Sequence, residues 1–428
     1  ENIFLCSLFI FLVYFKNKNN KRKYNTMKLK ETYAYDDVTL IPAYSELKSR
    51  SEANPSMYGY KLPIIASCMD VFGKDMAHCI TTNNIPFIAH RAFKSAEEQF
   101  KAFIPDIYNP EKLNYENIWF AVGSVQKYKD WINKLIRLGV RKFCVDMAHG
   151  DSVSCIDTVK FLRARLDDKS LLTTIFGKPH IIAGNVATPE GFKRLQQAGA
   201  DGIRVGIASG QICSTNLQTG FGVPILTNII DCAKIKKNTW LIADGGCRYS
   251  GDIAKAIYFN ADFVMIGKML AATDLATGAC YNSYYEKLVS DIRLDHDEPS
   301  FSLIYPDEFE KVYKLAEEID WHKHDSNCTR KNMCTRNIVT YKEYHGMASR
   351  AARSGILNYA SVEGCQGLIK YTGRTKDFIH DTYLHLQASL SYGGARNWTE
   401  FRKKVKAAKR SEAGIIAADV HMDKVTNI

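Results

Sequence analysis

The stretch GIASGQICSTN, residues 206–216, sets one cysteine, Cys213, among glycines and other small residues, with a hydroxyl two positions on at Thr215. A cysteine in a core is usually a small apolar residue. On a glycine-rich loop it is open to other chemistry, because backbone amides can approach a bound anion or a reacting centre. A thiol acts as a nucleophile where its setting is exposed and electropositive, and Thr215 is near enough in sequence to relay a proton. The alternative is a cysteine that packs beneath a glycine turn. Two further stretches weigh against that. ADGGCRYSGDIAKAI (243–257) ends a strand with Asp244, turns on Gly245 and Gly246, and opens a helix. Such a geometry binds phosphate at the helix N-terminus and leaves the carboxylate for a ribose hydroxyl. MIGKML (265–270) puts Gly267 and Lys268 at the end of another strand. Either motif alone is weak; together they point to a nucleotide or sugar-phosphate ligand.

Positioning these residues requires a frame of strands. Short apolar runs recur at 62–68, 85–90, 118–125, 142–148, 180–186, 202–207, 240–246 and 263–270. They are continuous rather than alternating and rich in β-branched residues, as strands buried on both faces are. Helix-like stretches lie between them, among them SCIDTVKFLRARL and TPEGFKRLQQAGA. The second has a threonine cap, proline at its first position and glutamate behind. Eight such units predict an α/β fold, a (β/α)8 TIM barrel, with an open doubly wound sheet as the alternative. Barrel sites form at the C-terminal strand ends, with phosphate after the last two strands. The Cys213 loop follows the sixth strand and so falls on that face.

The chain of 428 residues is 46% apolar and 24% charged, with net charge +11. The excess is concentrated in KNKNNKRKYNTMKLK (16–30) and RKKVKAAKR (402–410). Neither run interleaves aromatics with its basic residues, so both read as solvated segments and no nucleic-acid partner is expected. The twelve cysteines form no CxxC pair, which suits reduced thiols in a cytoplasmic enzyme. The apolar segment IFLCSLFIFLVYF (3–15) is too short to span a bilayer comfortably. Met27 reads as the start of the protein proper, so residues 1–30 are taken as an extension and 31–428 as one catalytic domain. A membrane anchor is the less favoured reading of that extension.

The chain resembles the family of inosine-monophosphate dehydrogenases and guanosine-monophosphate reductases, over about residues 33–275 and 341–400. The motifs that carry the resemblance are YDDVTLIP, LKSRSEA, VDMAHGDS, IAGNVATPEGF, VGIASGQICSTNLQTGFG, IADGG, YKEYHGMAS, ASVEG and LSYGGA. Within the family it looks most like the reductase branch. The resemblance implies that Cys213 attacks C2 of the purine of GMP to form a covalent thioimidate. Ammonia then leaves, protonated through Thr215 and the flap residue Glu363, and NADPH reduces C2 to give IMP, a step of purine nucleotide salvage. Amines leave poorly unless protonated, so a relay makes sense there. By the same match, Asp244, Gly245, Gly246, Gly267, Lys268, Gly346, Met347, Ala348 and Gly364 bind the substrate. Ser49, Arg50, Arg91, Asp146, Met147, Ala148, Val205, Gly206 and Tyr359 face the cofactor, arginine being apt for its 2′-phosphate. Backbone carbonyls of Gly206, Ala208 and Cys213 match a site for a monovalent cation such as K+. A homotetramer is expected by family analogy.

The chain departs from the pattern in four places. Relatives have Gly-Pro-Gly-Ser before the Ile/Val-Cys pair, where this chain reads Ala208-Ser209-Gly210-Gln211; Ala208 has less backbone freedom than glycine. The gap between AEEQF and WFAVGSV is too short for the regulatory CBS domain pair of most dehydrogenases. A segment of about 284–334 precedes the flap of about 341–375 and has no counterpart. It reads as a helical appendage on the lid side; His322, His324, Cys328 and Cys334 within it fit no standard zinc spacing. Asn358 stands beside Tyr359 where the dehydrogenases carry the arginine that activates water, which favours reduction of GMP. A dehydrogenase without CBS domains, and a nucleotide-binding barrel that has lost catalysis, remain as alternatives.

Overall fold

A computed structural model describes residues 29–104, 115–167, 177–210, 215–278, 280–287, 300–304, 335–345 and 366–417. From Tyr33 onward these form one compact unit. Its centre is a closed barrel of eight parallel strands: β2 (Ile64–Ala66), β3 (Phe87–Ala89), β4 (Ile118–Val122), β5 (Lys142–Asp146), β6 (His180–Val186), β7 (Gly202–Val205), β8 (Trp240–Asp244) and β9 (Phe263–Ile266). The ring closes where Ile64, Ile65 and Ala66 pair with Val264, Met265 and Ile266. The predicted barrel is therefore the observed one, and the doubly wound alternative is excluded. Each strand falls within a predicted run. The last run is shorter than predicted, because after Ile266 the chain caps on Gly267 and turns into helix Lys268–Ala271.

The runs are continuously apolar because both faces are buried. Along β4, Trp119 and Ala121 point into the barrel, while Ile118, Phe120 and Val122 pack on the surrounding helices. Those helices start where side chains can cap them. Thr188 accepts from the Gly191 amide at 3.1 Å at the head of Pro189–Ala198, and Ser152 does the same for Cys155 at the head of Val153–Leu166.

The barrel interior changes character along its axis. Its N-terminal end is plugged by aromatic rings: Trp240 and Phe263 lie 4.7 Å apart, with Trp119 against His180. Toward the C-terminal end the inward positions become Cys68, Cys144, Asp146, Arg204 and Asp244. Period-2 alternation accounts for this: Cys144 and Asp146, Gly202 and Arg204, and Ile242 and Asp244 are each two residues apart on one strand.

Beyond the barrel, β10 (Cys280–Lys287), β11 (Ser300–Ile304), β12 (Thr335–His345) and β13 (Gln366–Lys370) form an antiparallel sheet in the order β11-β10-β12-β13. The described parts of the 284–334 segment are thus strands, against the expected helical appendage. The tyrosine-rich CYNSYYEK of β10 has the composition that favours a pleated surface. His322, His324, Cys328 and Cys334 lie outside the described residues, as do the 3–15 stretch and the flap residues from Gly346 to Gly364.

Both arms of the flap are tied to one turn after β9. Lys342 is buried and donates to the carbonyls of Thr273 at 2.9 Å and Asp274 at 3.1 Å, and to that of Ala276. On the outgoing arm, Thr372 N donates to Ala272 O at 2.9 Å, and Thr375 N and Oγ1 each donate to Asp274 Oδ1 at 2.8 Å.

The basic run 402–410 exposes Lys403, Lys404, Lys406 and Lys409 to solvent, as expected, but it is also part of the fold. Its residues Lys406–Lys409 form β14, antiparallel to β1 (Val38–Ile41). Arg402 donates at 2.7 Å to Ile257 O and to Ala261 O, and Lys404 at 2.6 Å to Gly394 O. Backbone carbonyls at helix ends need such donors.

Candidate active site

The loops after β7, β8 and β9 converge on a cavity of about 230 Å3 at the C-terminal face of the barrel. Asp244, Gly245 and Gly246 line it, together with Gly267, Lys268, Gly206, Ala208 and Asp146. Residues expected on the substrate side, from two loops, and one expected on the cofactor side, at the end of β5, therefore share one space.

Close backbone approach shapes the cavity. Gly245 and Gly246 have φ of 96° and 77°, a region that favours glycine. A Cβ on Gly245 would lie 2.8 Å from the Gly210 amide nitrogen, so the β7 and β8 loops are pressed together. Gly267 is equally confined, since a Cβ there would meet Met69 Sδ at 3.0 Å. In the following helix, Ser250–Tyr258, an acidic side chain of the first turn folds back on the residues just before it. Asp252 Oδ2 already accepts from Arg248 N at 3.0 Å and Tyr249 N at 3.4 Å. The amides of Arg248 and Tyr249, between the glycine turn and the helix, are therefore taken up, while Gly245 and Gly246 line the cavity.

Charge at the cavity floor is organised around Arg204. Its Nη1 donates to Asp146 Oδ1 at 2.6 Å, and its Nη2 to Asp244 Oδ2 at 2.8 Å. Asn185 Nδ2 donates to the same Asp244 oxygen at 2.7 Å and to Gly206 O at 2.8 Å. Arg91 reaches Asp146 from the other side at 3.3 Å and Tyr128 OH at 3.3 Å. Burial raises the pKa of Asp146, but Arg204 and Arg91 outweigh it and hold the carboxyl below the ordinary aspartate range. Cys68 touches Arg204 Nη1 at 3.7 Å and is pushed up, by its hydrogen bond with Cys144 and by burial. Tyr344 also lines the cavity, and burial raises its phenol.

Other predicted residues are placed as follows. Val205 is buried at the end of β7. Met147 follows β5, its amide donating to Gly184 O at 3.0 Å and its carbonyl accepting from Asn185 N at 2.8 Å, and Ala148 comes next. Thr215 starts a short helix, Thr215–Thr219, and is half-buried. Ala208 adopts φ of 61°, so it takes the left-handed turn that glycine would take. Ser49 and Arg50 are not among the cavity-lining residues. Ser49 caps its own turn, accepting from Ser51 N at 3.2 Å, and Arg50 lies over the ring of Tyr392 at 5.7 Å. Cys213, Glu363, Gly346, Met347, Ala348, Gly364 and Tyr359 lie outside the described residues.

Sequence reasoning missed Arg204, Asn185 and Tyr344. A signal for Arg204 was present: GIRVGI carries one charge inside an apolar strand, at the parity that faces the barrel. Among the described residues there is no group of three or more His, Cys, Asp or Glu placed to hold a metal, and no helix long and apolar enough to cross a membrane.

Residues 32–288 and 328–421 match the family model described as IMP dehydrogenase / GMP reductase domain. A GMP reductase of Lactobacillus acidophilus is 32% identical over 378 residues, 86% of this chain and 91% of that protein. One from Oenococcus oeni is 29% identical, covering 87% of this chain and 95% of that protein. An inosine-5′-monophosphate dehydrogenase of Aquifex aeolicus is 31% identical over 328 residues, 74% of this chain but 54% of that protein.

Proposed function

The chain belongs to the IMP dehydrogenase / GMP reductase family, and from that premise we propose that it is a GMP reductase, converting GMP to IMP and ammonia with NADPH. The observation that carries this reading is the meeting of Asp244, Gly245, Gly246, Gly267 and Lys268 with Asp146 in one cavity. A nucleoside monophosphate has a phosphate for the glycine turn and hydroxyls for the Asp244 carboxylate. The reductase branch is favoured over the dehydrogenase by coverage: 91–95% of two GMP reductases against 54% of the dehydrogenase. Only residues 104–117 separate helix Ala96–Phe103 from β4, which leaves no room there for an inserted domain.

In this mechanism Cys213 adds to C2 of the guanine ring, forming the C–S bond of a thioimidate. The C2–N bond breaks as the Thr215–Glu363 relay protonates the departing ammonia. NADPH, when bound, supplies hydride to C2, and the C–S bond then breaks to release IMP and the thiolate. The residues present suit that cofactor's nicotinamide end: Asp146 is held ionised at the cavity edge, and the backbone of Met147 is fixed by two hydrogen bonds. A monovalent cation held by Gly206, Ala208 and Cys213 is part of the proposal. It is supported by the glycine-like turn at Ala208, although Gly206 O already accepts from Asn185. The assembly proposed is a cytoplasmic homotetramer serving purine salvage.

The covalent step is tested by intact-mass spectrometry of enzyme quenched during turnover of GMP. The expected result is a nucleotide adduct on the Cys213 peptide, absent from Cys213→Ala protein that still binds GMP. Full activity of Cys213→Ala would overturn the mechanism.

A further inference from the structure

We propose that Arg204 is a positioning residue for the ligand's ribose: its guanidinium, clamped between Asp146 and Asp244, fixes the orientation in which Asp244 offers its remaining oxygen to the cavity. The proposal rests on the reading of Asp244 as a ribose-binding carboxylate. Arg204 Nε and Nη2 donate to Asp244 Oδ2 at 3.0 and 2.8 Å, and Asn185 Nδ2 donates to the same oxygen at 2.7 Å. Three donors converge on Oδ2 and none of them on Oδ1, while Asp244 lines the cavity. Tilting the carboxylate away from this orientation costs all three bonds, so its other oxygen is held in one place, ready to accept from a hydroxyl.

The residue type matters. Arginine's planar fork serves two carboxylates at once. Here Nη1 goes to Asp146 at 2.6 Å while Nε and Nη2 go to Asp244. A lysine ammonium keeps the charge but not that geometry. A residue that only filled the barrel would have no need of charge. The side chain is 8% exposed, and apolar replacements of buried ion networks are often neutral or stabilising. The network instead sits at the ligand end of the barrel, on the carboxylate the ligand would meet.

The test compares GMP with 2′-deoxy-GMP and 3′-deoxy-GMP, using NADPH and the full chain as wild type and Arg204→Lys. Wild type is expected to prefer GMP by about 10- to 100-fold in kcat/KM over at least one deoxy analogue, the scale of a hydrogen bond to a charged group. In Arg204→Lys that preference should shrink to about threefold or less, because GMP turnover falls and the analogue's hardly changes. A fall shared by all three nucleotides, or a wild type without preference, overturns the proposal. Where Arg204→Lys does not yield folded protein by thermal melt, the Arg204→Gln/Asp146→Asn pair removes the charge together with one of its two partners; a loss on the cofactor side falls on all three nucleotides alike, so their ratio carries the same comparison. If wild type turns over no nucleotide, the functional reading fails separately. Calorimetric binding of GMP and its deoxy analogues to wild type and variant then reads the same preference.

Discussion

A Cβ on Gly206 would stand 2.1 Å from the carbonyl oxygen of Asp244. The β7 loop, which leads toward Cys213, is thus seated directly on the strand end that carries Asp244, the carboxylate proposed to bind ribose. Gly206 also has φ of 140°, which L side chains rarely adopt. Gly206→Ala must move the two loops apart. We predict a lower Tm and a kcat/KM for GMP reduced at least about tenfold. Wild-type values in both measurements would contradict the placement.

Ala208 and Gly222 form a second such pair. A Cβ on Gly222 would lie 2.8 Å from the Ala208 Cβ, and Ala208 itself is left-handed. Gly222→Ala is expected to destabilise by about 1–3 kcal/mol through overpacking. Ala208→Gly should be neutral or slightly stabilising, since a left-handed L-residue costs roughly 1–2 kcal/mol. In the double variant most of the Gly222→Ala loss should disappear. Urea unfolding of all four proteins reads this coupling; simple additivity would show that the two loops do not touch.

Lys342 anchors the incoming arm of the flap by donating to three carbonyls after β9. Lys342→Met keeps much of the bulk but leaves those buried acceptors without their donor. The expected cost is about 2–4 kcal/mol, read as a lower Tm. The same variant should raise the KM for GMP, because the turn it braces follows Gly267 and Lys268, which line the cavity. An unchanged melt would show that the anchor is dispensable.

These predictions mark the limit of what residue patterns reveal. The eight strands were legible because strands buried on both faces must be continuously apolar, as Ile118–Val122 is. The glycines of the Asp244 loop were legible because few other residues tolerate their φ. The ion pairs of Arg204 were hidden, because its partners Asp146 and Asp244 are 58 and 40 residues away and only barrel closure brings them together. The strands of the inserted segment were hidden for a similar reason. β10 pairs with β12 across about 50 residues, Tyr284 opposite Ile338, and no local spacing announces such a partner. The basic run near the C-terminus exposes its lysines, as charge suggests, but its pairing with β1 and the reach of Arg402 and Lys404 to distant carbonyls carry no local signal.

Acid should destabilise the barrel through two histidines. Burial, the leading cause for both, lowers His90 and His180 to about 4. Trp119 Nε1 donates to His180 Nδ1 at 3.1 Å, which requires that nitrogen to be unprotonated. The folded pKa lies below the unfolded value near 6.5, so the unfolded chain takes up the protons first. Stability is therefore full above about pH 6.5 and falls as pH drops toward 4, by of order 2 kcal/mol per histidine at pH 5. His180→Gln, which cannot titrate, should flatten part of that slope. Urea unfolding between pH 7 and 5 measures it, and an equal slope in the variant would remove His180 from the account.

The central claim is the direction of the reaction. The most direct measurement follows absorbance at 340 nm with GMP and NADPH, in potassium buffer, and identifies the products. The account predicts oxidation of NADPH with one IMP and one ammonia formed per cofactor consumed, and no comparable reaction of IMP with NAD. Efficient formation of xanthosine monophosphate from IMP and NAD, with no ammonia released from GMP, would contradict it.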